Sequence, residues 1–345
     1  MKRTVSFIAA GASILPRALI RWFVCACGAL SLTAPNALAE QPSPPGQGLF
    51  VAVGYGGRRV ASRDGVHWEN DQRWSDVAAD NDDVLFNVAF GLGRFIAVGG
   101  ATRAGHLLST RDGREWKELP TVHGRVATIV FGNGRFIAGH DAELLSSLDG
   151  EKFDSGEKLP WKGSIHARRA AFGDGEGGAR CVIIGDIDLW AEKKRVSLRA
   201  STEDGRAYAS QALDTPAARD IAYGGGLFIV VGSDGLIESS HDGETWQRHE
   251  TLAGENFSRV VWTGERFLVS GGRTVWSSPD GLDWKNEARP SPCGFAWARE
   301  GWLGLGFSWG GNLYISKDLT NWKKMEIPPG PSFESVAYGA PAVAK

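Results

Sequence analysis

Sulfur is scarce in this chain: of four cysteines, Cys25 and Cys27 fall in the first forty residues, leaving Cys181 and Cys293 beyond them. An excess of either charge is lacking too, since 38 basic residues stand against 40 acidic ones for a formal net charge of −2. Both signs are interspersed, which excludes the electrostatic footprint of a nucleic-acid binder or a polybasic membrane surface and leaves small uncharged or mixed-charge partners open. No Gly-x-Ser-x-Gly, no phosphate-binding glycine loop and, past the first forty residues, no Cys-x-x-Cys occurs. The abundant glycines are read as turn residues, and no cofactor is expected.

The first forty residues have their own character. Lys2, Arg3, Arg17 and Arg21 precede an apolar stretch from Trp22 to Leu32, and Ala37-Leu38-Ala39 follows with small residues. This order reads as a signal peptide over 1–39, cleaved before Glu40, with a proline-rich linker over 40–48. The apolar stretch is short against the roughly 20 residues of a spanning helix, so retention as a membrane anchor is the lesser alternative and no span is expected after cleavage. Val24-Cys25-Ala26-Cys27 is a weak lipobox, which raises lipidation at Cys27 as a side possibility. The protein is therefore expected to be exported, to the periplasm or beyond, as a monomer.

From residue 49 onward one pattern recurs. Its clearest copy, Asp220 to His249, holds four short apolar or alternating segments separated by Gly-Gly-Gly, Ser-Asp-Gly and His-Asp-Gly-Glu turns. A turn element, Ser/Thr-x-Asp-Gly-x-x-aromatic, carries Asp64, Asp112, Asp149, Asp204, Asp242, Asp280 and, with Leu319 in place of glycine, Asp318. Four strands repeating about every 40 residues are the signature of propeller blades. Each inner strand ends in an aromatic, namely Phe90, Phe131, Phe172, Tyr223, Trp262, Trp297 and Tyr338. The chain opens on a second strand at Leu49 and closes on an inner strand at Glu334 to Gly339. The expectation is an all-β, seven-bladed β-propeller over 49–345, built from four-stranded blades and closed by the C-terminal strand completing the first blade.

The repeated turn resembles the Asp-box, or BNR, repeat of the sialidase-like β-propeller superfamily, and the resemblance runs through the whole of 49–345. It implies an exported β-propeller and little more, since that superfamily includes glycan-active enzymes, photosystem-assembly propellers and sorting-receptor ectodomains. True sialidases are six-bladed and carry an early Phe-Arg-Ile-Pro motif, which the segment 48–57 does not contain. The turn aspartates are read as structural, accepting backbone N–H bonds within their own hairpins.

Departures from the repeat supply the candidate sites. Trp74 and Trp161 fall on blade-to-blade connections, Trp190 and Trp309 between second and third strands, and all four, with Tyr55, map to the rim opposite the turns. They suit stacking on sugar rings or gripping an apolar partner, or else they cap small loop cores. Trp190 stands in the longest insertion, Asp186 to Arg195. Counting three residues back from each inner-strand aromatic gives a polar ring of Asn87, Thr128, Arg169, Asp220, Arg259, Gly294 and Ser335 around the axis. Within it Arg169, Asp220 and Arg259, with Arg168, Arg219 and Glu334 one residue earlier, form either an anion clamp or a channel-lining ion-pair network. His106, His123, His140 and His166 gather near the same rim as weak metal-ligand or general-base candidates, the alternative being scattered surface histidines. Cys181 occupies the apolar second-strand position and Cys293 starts an inner strand three blades away, so both are expected as free thiols.

No repeat-breaking residues compose an evident acid–base pair. The reading is therefore a non-catalytic binding or assembly module with a glycan or protein partner on the rim opposite the turns. The alternative is a glycoside hydrolase or polysaccharide lyase acting on an acidic glycan, with Arg169, Asp220, Arg259 and His166 as its catalytic candidates.

Overall fold

A computed structural model describes residues 48–340 apart from 78–81, 102–103, 121, 142, 176–177, 250–253, 272–273, 288–294, 297–303, 309–311 and 317–320. The chain divides into a unit of Met1–Gln41 and a unit of Pro42–Lys345, and everything described lies in the second. Among the described residues no helix is long and apolar enough to cross a membrane.

Every sheet is a four-stranded antiparallel meander that runs from an inner strand outward. In the fifth blade Ala218–Gly224, Leu227–Gly232, Ile237–Ser240 and Gln247–Arg248 pair in that order. Leu227-Phe228-Ile229-Val230-Val231 reads as a continuous apolar run because both faces of the sheet are covered. Alternation then sends Phe228 and Val230 to the core shared with blade four, and Leu227, Ile229 and Val231 to the core shared with blade six. The core therefore lies between blades rather than at the axis.

The C-terminal strand Phe333–Gly339 pairs antiparallel with Leu49–Gly54 and becomes the inner strand of the first blade. Arg58, fully buried, anchors the segment ahead of it. Its guanidinium donates to both carboxylate oxygens of Asp71 at 3.0 and 2.8 Å and to the carbonyls of Pro331 and Pro328 at 2.8 and 2.6 Å.

Successive blades share one docking contact. The glycine that follows an inner-strand aromatic lies under the corresponding aromatic of the next blade: Gly339 under Phe90, Gly91 under Phe131, Gly132 under Phe172, Gly173 under Tyr223 and Gly224 under Trp262. A Cβ at any of these five positions would lie 2.0–2.3 Å from ring carbons, so only glycine allows the approach. The chain thus links blades one to six by a single repeated device.

The expectation of a seven-bladed propeller is corrected at this point. Six blades have all four strands described together with their burial, and the described residues make six full blades. After the sixth, Phe295–Ala296, Gly304–Ser308, Asn312–Ser316 and Lys323–Lys324 pair as a further sheet, interrupted by residues that lie outside those described. In sequence, Thr263 follows Trp262 and Ala298 follows Trp297 where the other blades carry glycine. Trp297 and Ala298 lie outside the described residues.

In six copies of the turn between third and fourth strands the hydroxyl accepts the glycine amide and the aspartate accepts the two amides that follow the glycine. In five the hydroxyl donates to that aspartate, whereas Thr202 donates to the Ala207 carbonyl. In the fifth blade the Ser240 hydroxyl accepts from Gly243 N at 2.8 Å and donates to Asp242, whose Oδ1 also accepts the Glu244 and Thr245 amides at 2.7 Å each. Asp318 lies outside the described residues. Burial opposes ionisation of Asp242, but the two amides and the hydroxyl outweigh it and bring the carboxyl down to about 2. At Asp149 and Asp280 the backbone amides dominate and again lower the carboxyl. A depressed folded-state value contributes stability that is present above the unfolded value, about 3.9, and is lost as pH falls through the folded one. Urea midpoints measured between pH 5 and 2 should therefore fall with falling pH, and Asp242→Asn should flatten that slope by up to one proton. An unchanged slope in the variant would remove Asp242 from the account.

Candidate functional site

The inner strands carry an irregularity at their entrance end, on the side opposite the turns. In blades two to five the pairing with the second strand skips one residue, so that Phe86, Ala127, Arg168 and Arg219 have no partner across the ladder. Glu334 does the same in blade one. Each is a β-bulge, a device that ends regular pairing and redirects a side chain. All five redirected residues line one cavity of about 300 Å³, together with Arg125, Ala167, Arg169, Ser258 and Arg259.

One step deeper, the ring counted from the aromatics is observed over six blades. Ser335 Oγ donates to Asn87 Oδ1 at 3.4 Å, and Asn87 Nδ2 donates to Thr128 Oγ1 at 3.4 Å. Arg169 Nε lies 3.9 Å from Asp220 Oδ1, and Asp220 Oδ2 accepts the Val260 amide at 2.9 Å. Gly294 lies outside the described residues. Asp220 is buried, which raises its carboxyl above the ordinary range, and the charges of Arg259 and Arg169 offset part of that rise. Burial, and then the neighbouring Arg259, push Arg169 down to about 10, with Asp220 acting in the opposite sense. Two guanidiniums thus share one carboxylate behind the cavity wall.

The remaining charges are held more tightly. Arg168 Nε donates to the buried Asp186 at 2.6 Å. Arg125 NH2 donates to His166 Nδ1 at 3.1 Å, which leaves Nε2–H of His166 to bond Asp188 Oδ2 at 3.2 Å. Asp188 in turn binds Arg195, with Nη2 to Oδ2 at 2.7 Å. Tyr55 stands near Glu334, and burial followed by that carboxylate raises its phenol.

The aromatic candidates separate. Trp74 lies over Gly57, with His106 at 4.6 Å between ring centroids and the Arg59 guanidinium at 5.1 Å, so it caps its own loop. Trp161 is partly buried against the core between blades three and four. Trp190 is 68% exposed and projects from the turn joining Gly178–Leu189 to Lys194–Thr202. The insertion around it is no loose loop: the ladder continues through Asp186↔Ser197 and Asp188↔Arg195 to Leu189↔Lys194. Trp309 and Cys293 lie outside the described residues, and Cys181 is a buried free thiol.

The histidines do not converge. His106 Nε2 lies 3.5 Å from Asp83, and His140 bonds the His123 carbonyl at 2.6 Å. Among the described residues no group of three His, Cys, Asp or Glu side chains is placed to hold a metal ion.

No protein-family model matches this chain, and no curated protein matches it. Solved structures do. YCF48 from Cyanidioschyzon merolae superposes with a TM-score of 0.52 at 13% identity, covering 83% of this chain and 97% of that one. Apo AztD from Citrobacter koseri gives 0.51 at 12% identity, over 85% and 97%. The chain is a β-propeller. At such identities the likeness is one of fold, and the function of this propeller has to be argued from its own site.

Proposed function

We propose that this propeller is an exported, non-catalytic binding module, and that its ligand site is the arginine-lined cavity on the rim opposite the repeated turns. One observation carries the reading: consecutive bulges aim side chains from five blades into a single cavity whose lining holds five arginines and one carboxylate. A scaffold that only needed to fill its axis would use small apolar side chains at these positions. Guanidiniums presented in a recess match carboxylate or phosphate geometry. The leader-like segment 1–39 is the ground for placing the protein in an exported compartment.

The test is thermal unfolding against a panel of small organic anions and acidic oligosaccharides, with Arg219→Glu alongside the parent. A true ligand should raise the midpoint of the parent by several degrees and leave the variant unmoved. Equal stabilisation of both proteins would place binding elsewhere.

A second reading is favoured by Glu334, which brings a carboxylate into the same cavity as the arginines and stands next to Tyr55. On that reading the protein cleaves an acidic glycan. Products detected by mass spectrometry and lost in Glu334→Gln would establish it over the binding module.

A further inference from the structure

The wall of the cavity is not uniform. Going round the axis, blades two to four contribute Phe86, Ala127 and Ala167 with one arginine, Arg125, whose guanidinium stands 5.6 Å from the Phe86 ring centroid, whereas blades four to six contribute Arg168, Arg169, Arg219 and Arg259. The apolar side chains fall on one arc, and four of the five arginines fall on the other. Counting the carboxylates behind and beside the wall, Asp186 holds Arg168, Asp220 is shared by Arg169 and Arg259, Asp141 lies 3.9 Å from Arg125, and Glu334 faces the cavity itself. Five arginines against these four acids leave an excess of one positive charge. Arg219 is exposed, and its Nε lies 3.4 Å from the Ser233 hydroxyl.

From this division we infer that the cavity takes a monocarboxylate bearing a flat apolar ring, its carboxylate turned to Arg219 and Arg259 and its ring to Phe86, Ala127 and Ala167. The inference rests on the cavity being the ligand site and adds the class of ligand. An inorganic anion would satisfy the cationic arc and leave the apolar arc facing water. A neutral ring compound would cover the apolar arc and leave the excess charge unmet. A single carboxylate on a ring answers both, and a volume of about 300 Å³ is at the small end of the roughly 300–1,000 Å³ that small-molecule sites occupy. The ring also gains from burial, in proportion to the apolar area it takes out of water.

Calorimetric titration of the protein with benzoate, 2-naphthoate, cyclohexanecarboxylate, acetate and inorganic phosphate tests this. The ring-bearing acids should bind at least tenfold tighter than acetate or phosphate. Arg219→Gln, at an exposed position, should weaken every anion about tenfold. Phe86→Leu, which keeps the position apolar, should erase most of the advantage of the flat rings and leave acetate unchanged. Ring acids binding no tighter than acetate, while Arg219→Gln still weakens all of them, would overturn the ligand class and leave the cavity as the site. Binding that is absent for every probe, or indifferent to Arg219→Gln, would overturn both.

Discussion

Removing residues 333–345 should abolish cooperative unfolding. The deletion takes away the inner strand of the first blade and leaves Leu49–Gly54, buried along its whole length, as an open edge. Phe333 leaves the core it shares with Phe50, Ala52 and Val60, and Gly339 no longer lies under Phe90. Because both neighbouring cores lose a wall, the loss is not local. Urea unfolding followed by tryptophan fluorescence should change from one sigmoidal transition to a gradual slope. A truncated protein with the parent's midpoint and slope would show that the ring holds without this strand.

Arg58→Met should cost about 3–5 kcal/mol, the range for breaking a buried ion pair from one side. Arg58 lies fully buried between Asp71 and the carbonyls of Pro328 and Pro331, with its guanidinium 4.5 Å from the Phe333 ring. Methionine keeps most of the apolar stem but leaves two carbonyls without their donor and Asp71 with only Arg73, 3.8 Å away. Adding Asp71→Leu should recover part of the loss, because the stranded charge goes with it while the orphaned carbonyls remain. If the double variant were no more stable than the single one, the carbonyl bonds rather than the ion pair would be the dominant contribution.

The repeating parts were legible in the sequence and the singular parts were not. Four strands per blade, the turn aspartates and the inner-strand aromatics each recur, so their positions can be counted. The polar ring could be counted too, and Asn87, Thr128, Arg169, Asp220 and Ser335 do form neighbouring contacts across blades. What counting missed is the bulge. Arg168, Arg219 and Glu334 stand out only as residues one step before the ring, because an unpaired residue on one strand leaves no mark in its own alternation. The signal available was weak: charged residues at adjacent positions of an inner strand cannot both face a core. The number of blades was misread for a related reason. Strong turn and aromatic matches drew a seventh repeat into the count, although glycine is replaced after the aromatic at Thr263 and at Ala298. Among the rim aromatics, sequence position could not separate Trp190, 68% exposed, from Trp74, which is 39% exposed against its own loop, or from Trp161, which packs against the core between blades three and four.

The glycine-under-aromatic contact also gives the ring a direction. Each blade from the first to the fifth offers bare backbone to its successor, and each from the second to the sixth offers a side chain to its predecessor, so a blade docks in one rotational sense only. Duplicating a whole repeat inside that run would hand every junction a matching pair of surfaces. The number of repeats in chains built this way can therefore grow within the run while each junction still finds its match.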